Sequence, residues 1–277
     1  MIDRLKTLPQ YGLPQRAVTR AFGWLAKLRR PAFIKNVCIR LFIKKYRVDM
    51  SEALVSTPES YVDFNAFFTR VLRPELRPLG NNIISPVDGE ISEIGKIHDR
   101  KIFQAKNHHY SLLSLLGNDS TLAAAFENGD YATLYLSPKD YHRIHMPISG
   151  QLKSMTHIPG KLFSVNQRTA RNVPDLFARN ERVVCIFETE KGKVAMILVG
   201  AMIVASIVTQ WAGLVTPPRT RQVRRWTYDD VFIQKGEEMG YFQLGSTVIV
   251  LFQSNQIQWE SHLKNGDGLK MGQMIGQ

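Results

Sequence analysis

Cysteine is scarce. Only Cys38 and Cys185 occur among 277 residues, too few for a disulfide framework, and their scarcity favours a reducing compartment. No Cys-x-x-Cys pair exists, which argues against a structural zinc site. Neither GxGxxG nor a Walker-type GxxxxGK loop occurs, so no glycine-rich phosphate cradle is present. No N-terminal segment reaches the ~18 apolar residues of a spanning helix. The apolar stretch there is broken by Lys27, Arg29 and Arg30, with no small-residue cleavage site after it, so it does not read as a secretory signal. Acidic residues are nearly missing from the first 49 positions: Asp3 and Asp49 stand against twelve Lys or Arg, a local charge of +10. The other 228 residues hold 24 bases and 22 acids, so the total of +12 belongs almost wholly to the N-terminus.

Apolar residues make up 44% and charged residues 22%, which is globular composition and excludes a disordered chain. From Pro31 to Tyr46, Ile34, Val37, Cys38, Leu41 and Phe42 follow helical spacing, with Lys35, Arg40 and Lys44 largely elsewhere. Upstream, Val18, Phe22, Trp24, Leu25 and Leu28 lie among Arg16, Arg20 and Lys27, and Pro31 separates two short helices. Two helices lying in an anionic membrane interface explain this pattern; so does a basic hairpin packed on the body. The one-sided charge favours the membrane. The bulky apolar residues among the bases argue against a nucleic-acid arm.

A third helix is expected over Tyr61–Leu72, capped by Ser60 and ended by Arg73-Pro74 and Arg77-Pro78. From about residue 80 the texture is short β-branched runs between turn dipeptides (Asp88-Gly89, Asn128-Gly129, Lys191-Gly192), with strands expected at Tyr131–Leu136, Val183–Phe187 and Val248–Phe252. The apolar stretch Val194–Val208 is too short to span a bilayer and reads as two buried strands. The expected fold class is α+β: a helical, membrane-associating region over residues 1–78, then a β-rich catalytic domain over 79–277.

Three places could carry chemistry. Ser85-Pro86-Val87-Asp88-Gly89 is either a plain turn or a carboxylate at a strand end placed to orient a histidine. Tyr141-His142-Arg143-Ile144-His145-Met146-Pro147 offers two histidines; without a third ligand at metal spacing, one of them as general base is the better functional reading than a metal site, and a hydrogen-bonded core histidine remains open for each. Gly236, Gly240 and Gly245 precede Ser246 at the start of an apolar strand, which is either a glycine-rich turn or a serine able to reach its own preceding carbonyl. It is not a GxSxG elbow, because Leu244 and Val248 stand at the glycine positions. Thiol chemistry is a poor prospect, with Cys38 on an apolar helix face and Cys185 within a buried strand.

With Leu162-Phe163-Ser164-Val165-Asn166, the run from Leu176 to Val183 and Leu244-Gly245-Ser246-Thr247, these motifs in this order resemble the bacterial pyruvoyl-dependent phosphatidylserine decarboxylases along essentially the whole chain. One departure is Ala205, where the family pattern has glycine. The resemblance implies a self-cleaving proenzyme in which Ser246 is the nucleophile, His145 its base and Asp88 the orienting acid. Attack on the Gly245 carbonyl would divide the chain into 1–245 and 246–277, the two remaining associated, with Ser246 converted to a pyruvoyl cofactor. That group would form a Schiff base with phosphatidylserine and act as the electron sink for loss of CO2, yielding phosphatidylethanolamine. Either His145 or His142, the secondary candidate, could return the proton, and Phe163 and Ser164 are candidates for the substrate-binding wall. The implied partners are phosphatidylserine and an anionic phospholipid membrane, the implied location the cytoplasmic side of the cell membrane as a peripheral protein. A homodimer is compatible, and neither a metal nor nucleic acid is expected. The alternatives are a serine hydrolase using Ser246, His145 and Asp88 on an external ester or amide, and a non-enzymatic membrane-binding module.

Overall fold

The structure, a computed structural model, describes residues 7, 9–12, 14–105, 108–201, 206–216, 222–243 and 246–277. Leu244, Gly245 and Ala205 therefore lie outside the described residues. Short helices lead: α1 (Pro9–Gly12), α2 (Gln15–Leu25), α3 (Ala32–Tyr46) and α4 (Phe64–Phe68). The strands then follow as β1 (Ile83–Ile84), β2 (Gly89–Lys96), β3 (Lys101–Ala105), β4 (His108–Ser111), β5 (Asp130–Leu136), β6 (Arg143–His145), β7 (Gly150–Ile158), β8 (Arg182–Thr189) and β9 (Gly192–Val199). After these come β10 (Ile207–Thr209), β11 (Gly213–Leu214), β12 (Arg224–Thr227), β13 (Phe232–Ile233), β14 (Glu238–Phe242), β15 (Ser246–Phe252), β16 (Gly268–Leu269) and β17 (Met274–Gly276). Four one-turn helices, α5 (Leu112–Leu115), α6 (Ser120–Ala125), α7 (Gln167–Ala170) and α8 (Leu176–Arg179), interrupt them. The α+β expectation is borne out.

The main antiparallel sheet runs β12-β7-β8-β9-β15-β5-β2-β16, with β13 also on β7. A second sheet runs β11-β10-β14-β6. Because side chains alternate across a strand, the main sheet feeds two cores. On one face Leu134, Leu136, Val248 and Val250 pack with Ile144, Ile207, Met239 and Phe242 of the second sheet. On the other, Ile197, Ile249 and Leu251 pack with Leu115, Leu176 and Phe177 from the one-turn helices, and with Ala26 and Phe68 from the N-terminal region.

Strand β15 lies between β9 and β5, antiparallel to both, and all seven of its residues are buried. It places the start of the segment 246–277 in the middle of the sheet. Gly89 is required where β2 crosses β5, since a Cβ there would sit 2.6 Å from the Tyr135 carbonyl oxygen. The Val194–Val208 stretch does form strands, β9 and β10, though in different sheets, with 202–205 outside the described residues. Among the described residues no helix is long and apolar enough to cross a membrane.

One helical expectation needs correction. The third helix is only Phe64–Phe68, and its cap is Asp63, whose Oδ1 accepts the Ala66 amide proton at 2.9 Å. Tyr61 is extended, and Leu72 bridges Ala53, so neither end can join the helix. The N-terminal stripe lies on a helix as expected, but in α3 the buried face is Lys35 and Ile39, with Phe42 half-buried against Tyr61 and Phe67. Lys35 reaches the Tyr61 and Glu59 carbonyls with its ammonium, which lets its stem be buried. Ile34, Val37, Cys38 and Leu41 consequently face outward. With Phe33 (67% exposed), Leu41 (62%) and Trp24 of α2 (66%) they make an apolar surface beside a cleft of about 490 Å³ between the two helices.

Candidate active site

Asp88, at the entry to β2, is buried and fully engaged. Arg77 donates to both its oxygens, Nε to Oδ1 at 2.9 Å and Nη2 to Oδ2 at 2.5 Å. The Met271 amide donates to Oδ1 at 2.8 Å, and the Lys270 ammonium lies 3.7 Å from Oδ2. Arg77 also donates to Glu52 at 2.7 Å. Asp88 is thus shared between the long N-terminal part of the chain and the segment that follows Ser246. Sequence reasoning missed Arg77, Glu52 and Lys270.

His145 ends β6, opposite Glu238 of β14, and its amide is anchored on the Pro86 carbonyl at 2.8 Å. Its Nδ1 contacts the Gly236 carbonyl oxygen at 2.8 Å and its Nε2 the Tyr141 hydroxyl at 3.0 Å. A carbonyl only accepts, so Nδ1 carries the proton and Nε2 holds the lone pair that receives the tyrosine proton. His142 repeats the arrangement: Nδ1 donates to the Asp140 carbonyl at 2.8 Å, and Nε2 is buried with no partner, the ring lying 4.1 Å from the Phe68 ring centroid. Burial pushes the pKa of His142 down to about 3 and lowers that of His145, the Gly236 carbonyl and Glu238 opposing the latter shift. Both rings are neutral bases near neutral pH.

Ser246 opens β15 opposite Leu136, completely buried, and among the described residues its Oγ has no hydrogen-bond partner. It lies four residues beyond Phe242, whose amide donates to the His142 carbonyl at 3.0 Å. By strand alternation it shares the face of Val248 and Val250, toward the sheet that carries His145. Asp88, His145 and Ser246 are not hydrogen-bonded to one another: Asp88 is held by Arg77, and the His145 lone pair by Tyr141. Tyr141 belonged to a recognised motif, but nothing in the sequence marked its hydroxyl.

A polar cavity of about 450 Å³ adjoins this cluster through Asp88 and Tyr141. Phe163 and Ser164 are not among its lining residues. Phe163 is buried against Tyr11 and Arg179. The Ser164 amide donates to Gln10 at 2.9 Å, and its hydroxyl accepts from Asn166 at 2.9 Å.

A family model described as phosphatidylserine decarboxylase matches residues 64–277, and a second, PSD, matches 5–47. The phosphatidylserine decarboxylase proenzyme of Azotobacter vinelandii is 52% identical over 285 aligned residues, covering 100% of this chain and 99% of the relative. Proenzymes of the same name from Pseudomonas fluorescens and Pseudomonas entomophila are each 53% identical, covering 100% and 99% of this chain and 98% of each relative. Agreement of that extent, running through both the helical region and the sheets, places this chain in the phosphatidylserine decarboxylase family.

Proposed function

We propose that this chain is a self-processing decarboxylase that converts phosphatidylserine to phosphatidylethanolamine and CO2. The observation that carries the reading is Ser246: a hydroxyl buried without a partner at the first position of a central strand costs stability, and a nucleophile directed at its own preceding carbonyl accounts for keeping it. In processing, His145 Nε2 takes the Ser246 proton once the Tyr141 hydroxyl gives way, and Oγ bonds to the Gly245 carbonyl carbon as the Gly245–Ser246 C–N bond breaks. β-Elimination then frees chain 1–245 as a carboxylate and leaves a dehydroalanine on 246–277, whose imine tautomer is hydrolysed with loss of ammonia to a pyruvoyl end. Asp88 acts through position, fixing the entry to β2 against Met271 beside the histidine.

The residues suit such a group, because position 246 is fully buried, central in the main sheet and on the face turned toward the sheet that carries His145. Bound there, a pyruvoyl carbonyl supplies the sink for the electrons left when CO2 departs. His142 has no proton on Nε2 in the resting state, so it must gain one before it can give one. The substrate ammonium, which has to lose a proton before its nitrogen can react, is a chemically sufficient source, and the same proton then returns to Cα. The outward apolar faces of α2 and α3, set among the N-terminal bases, support peripheral docking on an anionic membrane at its cytoplasmic face.

The serine hydrolase reading is set aside: a fully buried Ser246 offers no approach to an external ester or amide, and the relatives bear the decarboxylase name. Intact-mass measurement tests the proposal. Two chains, 1–245 and 246–277, the smaller blocked at its N-terminus, together with CO2 release from phosphatidylserine, are expected. One inactive chain of 31.6 kDa overturns it.

A further inference from the structure

Arg70 is 4% exposed, yet among the described residues its guanidinium makes a single hydrogen bond, from Nη2 to the Lys139 carbonyl at 2.8 Å. Its Nε and Nη1 are buried with no partner. Other buried arginines differ. Arg77 is saturated by Asp88, Glu52 and the Leu76 carbonyl, and Arg182 by the carbonyls of Ser114, Leu115, Ala178 and Asn180. A buried donor left unmade is costly, and more so on a charged group, so two on one guanidinium call for a ligand. Neighbouring acids do not serve: Asp88 and Glu52 are held by Arg77, and Asp140 accepts from the Ser137 amide at 2.7 Å.

Arg70 lines the 450 Å³ cavity, whose wall also holds Asp88 and Tyr141, the latter bonded to His145. Its charge is felt at His142. Arg47, the left-handed cap that ends α3 (φ 55°), lines the same cavity, joining it to the helix with the outward apolar face. A planar fork with two free N–H groups matches the two oxygens of a carboxylate or a phosphodiester. Phosphatidylserine offers both, and the chemistry separates them. The carboxylate loses its charge as CO2 leaves, so gripping it would stabilise the ground state over the transition state. The phosphodiester keeps its charge throughout.

We propose that Arg70 binds the phosphodiester of the glycerophosphoserine headgroup in this cavity. The proposal rests on the decarboxylase reading above. The test uses processed Arg70→Gln and Arg70→Lys enzymes with phosphatidylserine in mixed micelles, and with glycerophosphoethanolamine, glycerophosphoserine and inorganic phosphate as competitors. Arg70→Gln is expected to raise KM at least ten-fold with a smaller change in kcat, and to weaken competition by glycerophosphoethanolamine and glycerophosphoserine alike, with Arg70→Lys intermediate. Wild-type KM and competition in Arg70→Gln overturn the proposal, as does a loss confined to glycerophosphoserine, which assigns Arg70 to the carboxylate. Inorganic phosphate competing as well as glycerophosphoethanolamine reduces the site to a general anion pocket and also overturns it. Should neither variant fold and process, the wild type decides: glycerophosphoethanolamine must compete where ethanolamine does not, and must protect the backbone amides of residues 67–72 from hydrogen exchange; failure of either overturns the proposal. A wild type that neither cleaves itself nor releases CO2 is a different failure, that of the decarboxylase reading.

Discussion

Arg77 grips both carboxylate oxygens of Asp88, at 2.9 and 2.5 Å, with both side chains more than nine-tenths buried. An aspartate expected to orient a histidine is instead the centre of an ion network that includes Glu52 and Lys270. Removing one partner of a buried pair leaves an uncompensated charge, at about 3–5 kcal/mol. Arg77→Ala should lose stability of that order in urea denaturation and should process slowly. A variant as stable as wild type would mean that solvent screens the pair.

Ser246→Ala should remain a single chain on a denaturing gel. It removes a buried hydroxyl that satisfies nothing, so its folded state should be unchanged or up to about 1 kcal/mol more stable than an equally uncut reference such as a slow-processing His145 variant. A large destabilisation would mean that the hydroxyl has a partner in solution.

Burial sets a sign for pH dependence. His142 binds a proton near pH 3 when folded and near 6.5 when unfolded, so the unfolded chain takes up the extra proton between those values. Stability contributed by the neutral ring is present above pH 6.5 and falls as pH drops through that window, by about 2 kcal/mol at pH 5. His142→Phe should flatten this slope in denaturation curves at pH 7 and pH 5. An unchanged slope would assign the acid sensitivity to other groups.

His145 is likewise shifted downward, so self-cleavage that uses it as a base should hold its rate below pH 6.5. A rate profile that turns down at or above pH 6.5 would exclude a depressed His145 as the base.

Trp24, Phe33 and Leu41 are the most exposed large apolar side chains of α2 and α3. Changing all three to serine should reduce binding to anionic liposomes by well over ten-fold, since each buried side chain is worth about 1.5–3 kcal/mol. High salt should weaken binding further. Because Lys35 and Ile39 hold α3 to the body, these substitutions are cleaner than deleting the helices. Binding unaffected by the triple change would place the docking surface elsewhere.

The strands were legible because buried runs such as Val183–Phe187 and Val248–Phe252 admit little else. The stripe on α3 was legible as a pattern, and the one-sided charge pointed it outward; what periodicity alone could not show is that Ile39, Phe42 and a snorkelling Lys35 form the face that meets the body. Asp88, His142, His145 and Ser246 stood out through motif order. Arg77 and Arg70 did not, because an arginine carries no periodic signature and its partners lie far away in sequence, 69 residues for Arg70 and Lys139. Tyr141 was visible without its role, which depends on where Gly236 places the His145 ring.

The proposed processing would cut the chain ahead of its central strand, and that would give the molecule a history. The uncut chain can find the place of β15 between β5 and β9 because β15 is tethered there while the sheet assembles. A severed 32-residue piece would have no tether, and would meet its partner at a concentration set by dilution. Denaturation of the processed protein should therefore be irreversible where that of Ser246→Ala is reversible, and on the proposed mechanism every working molecule would have folded before it became an enzyme.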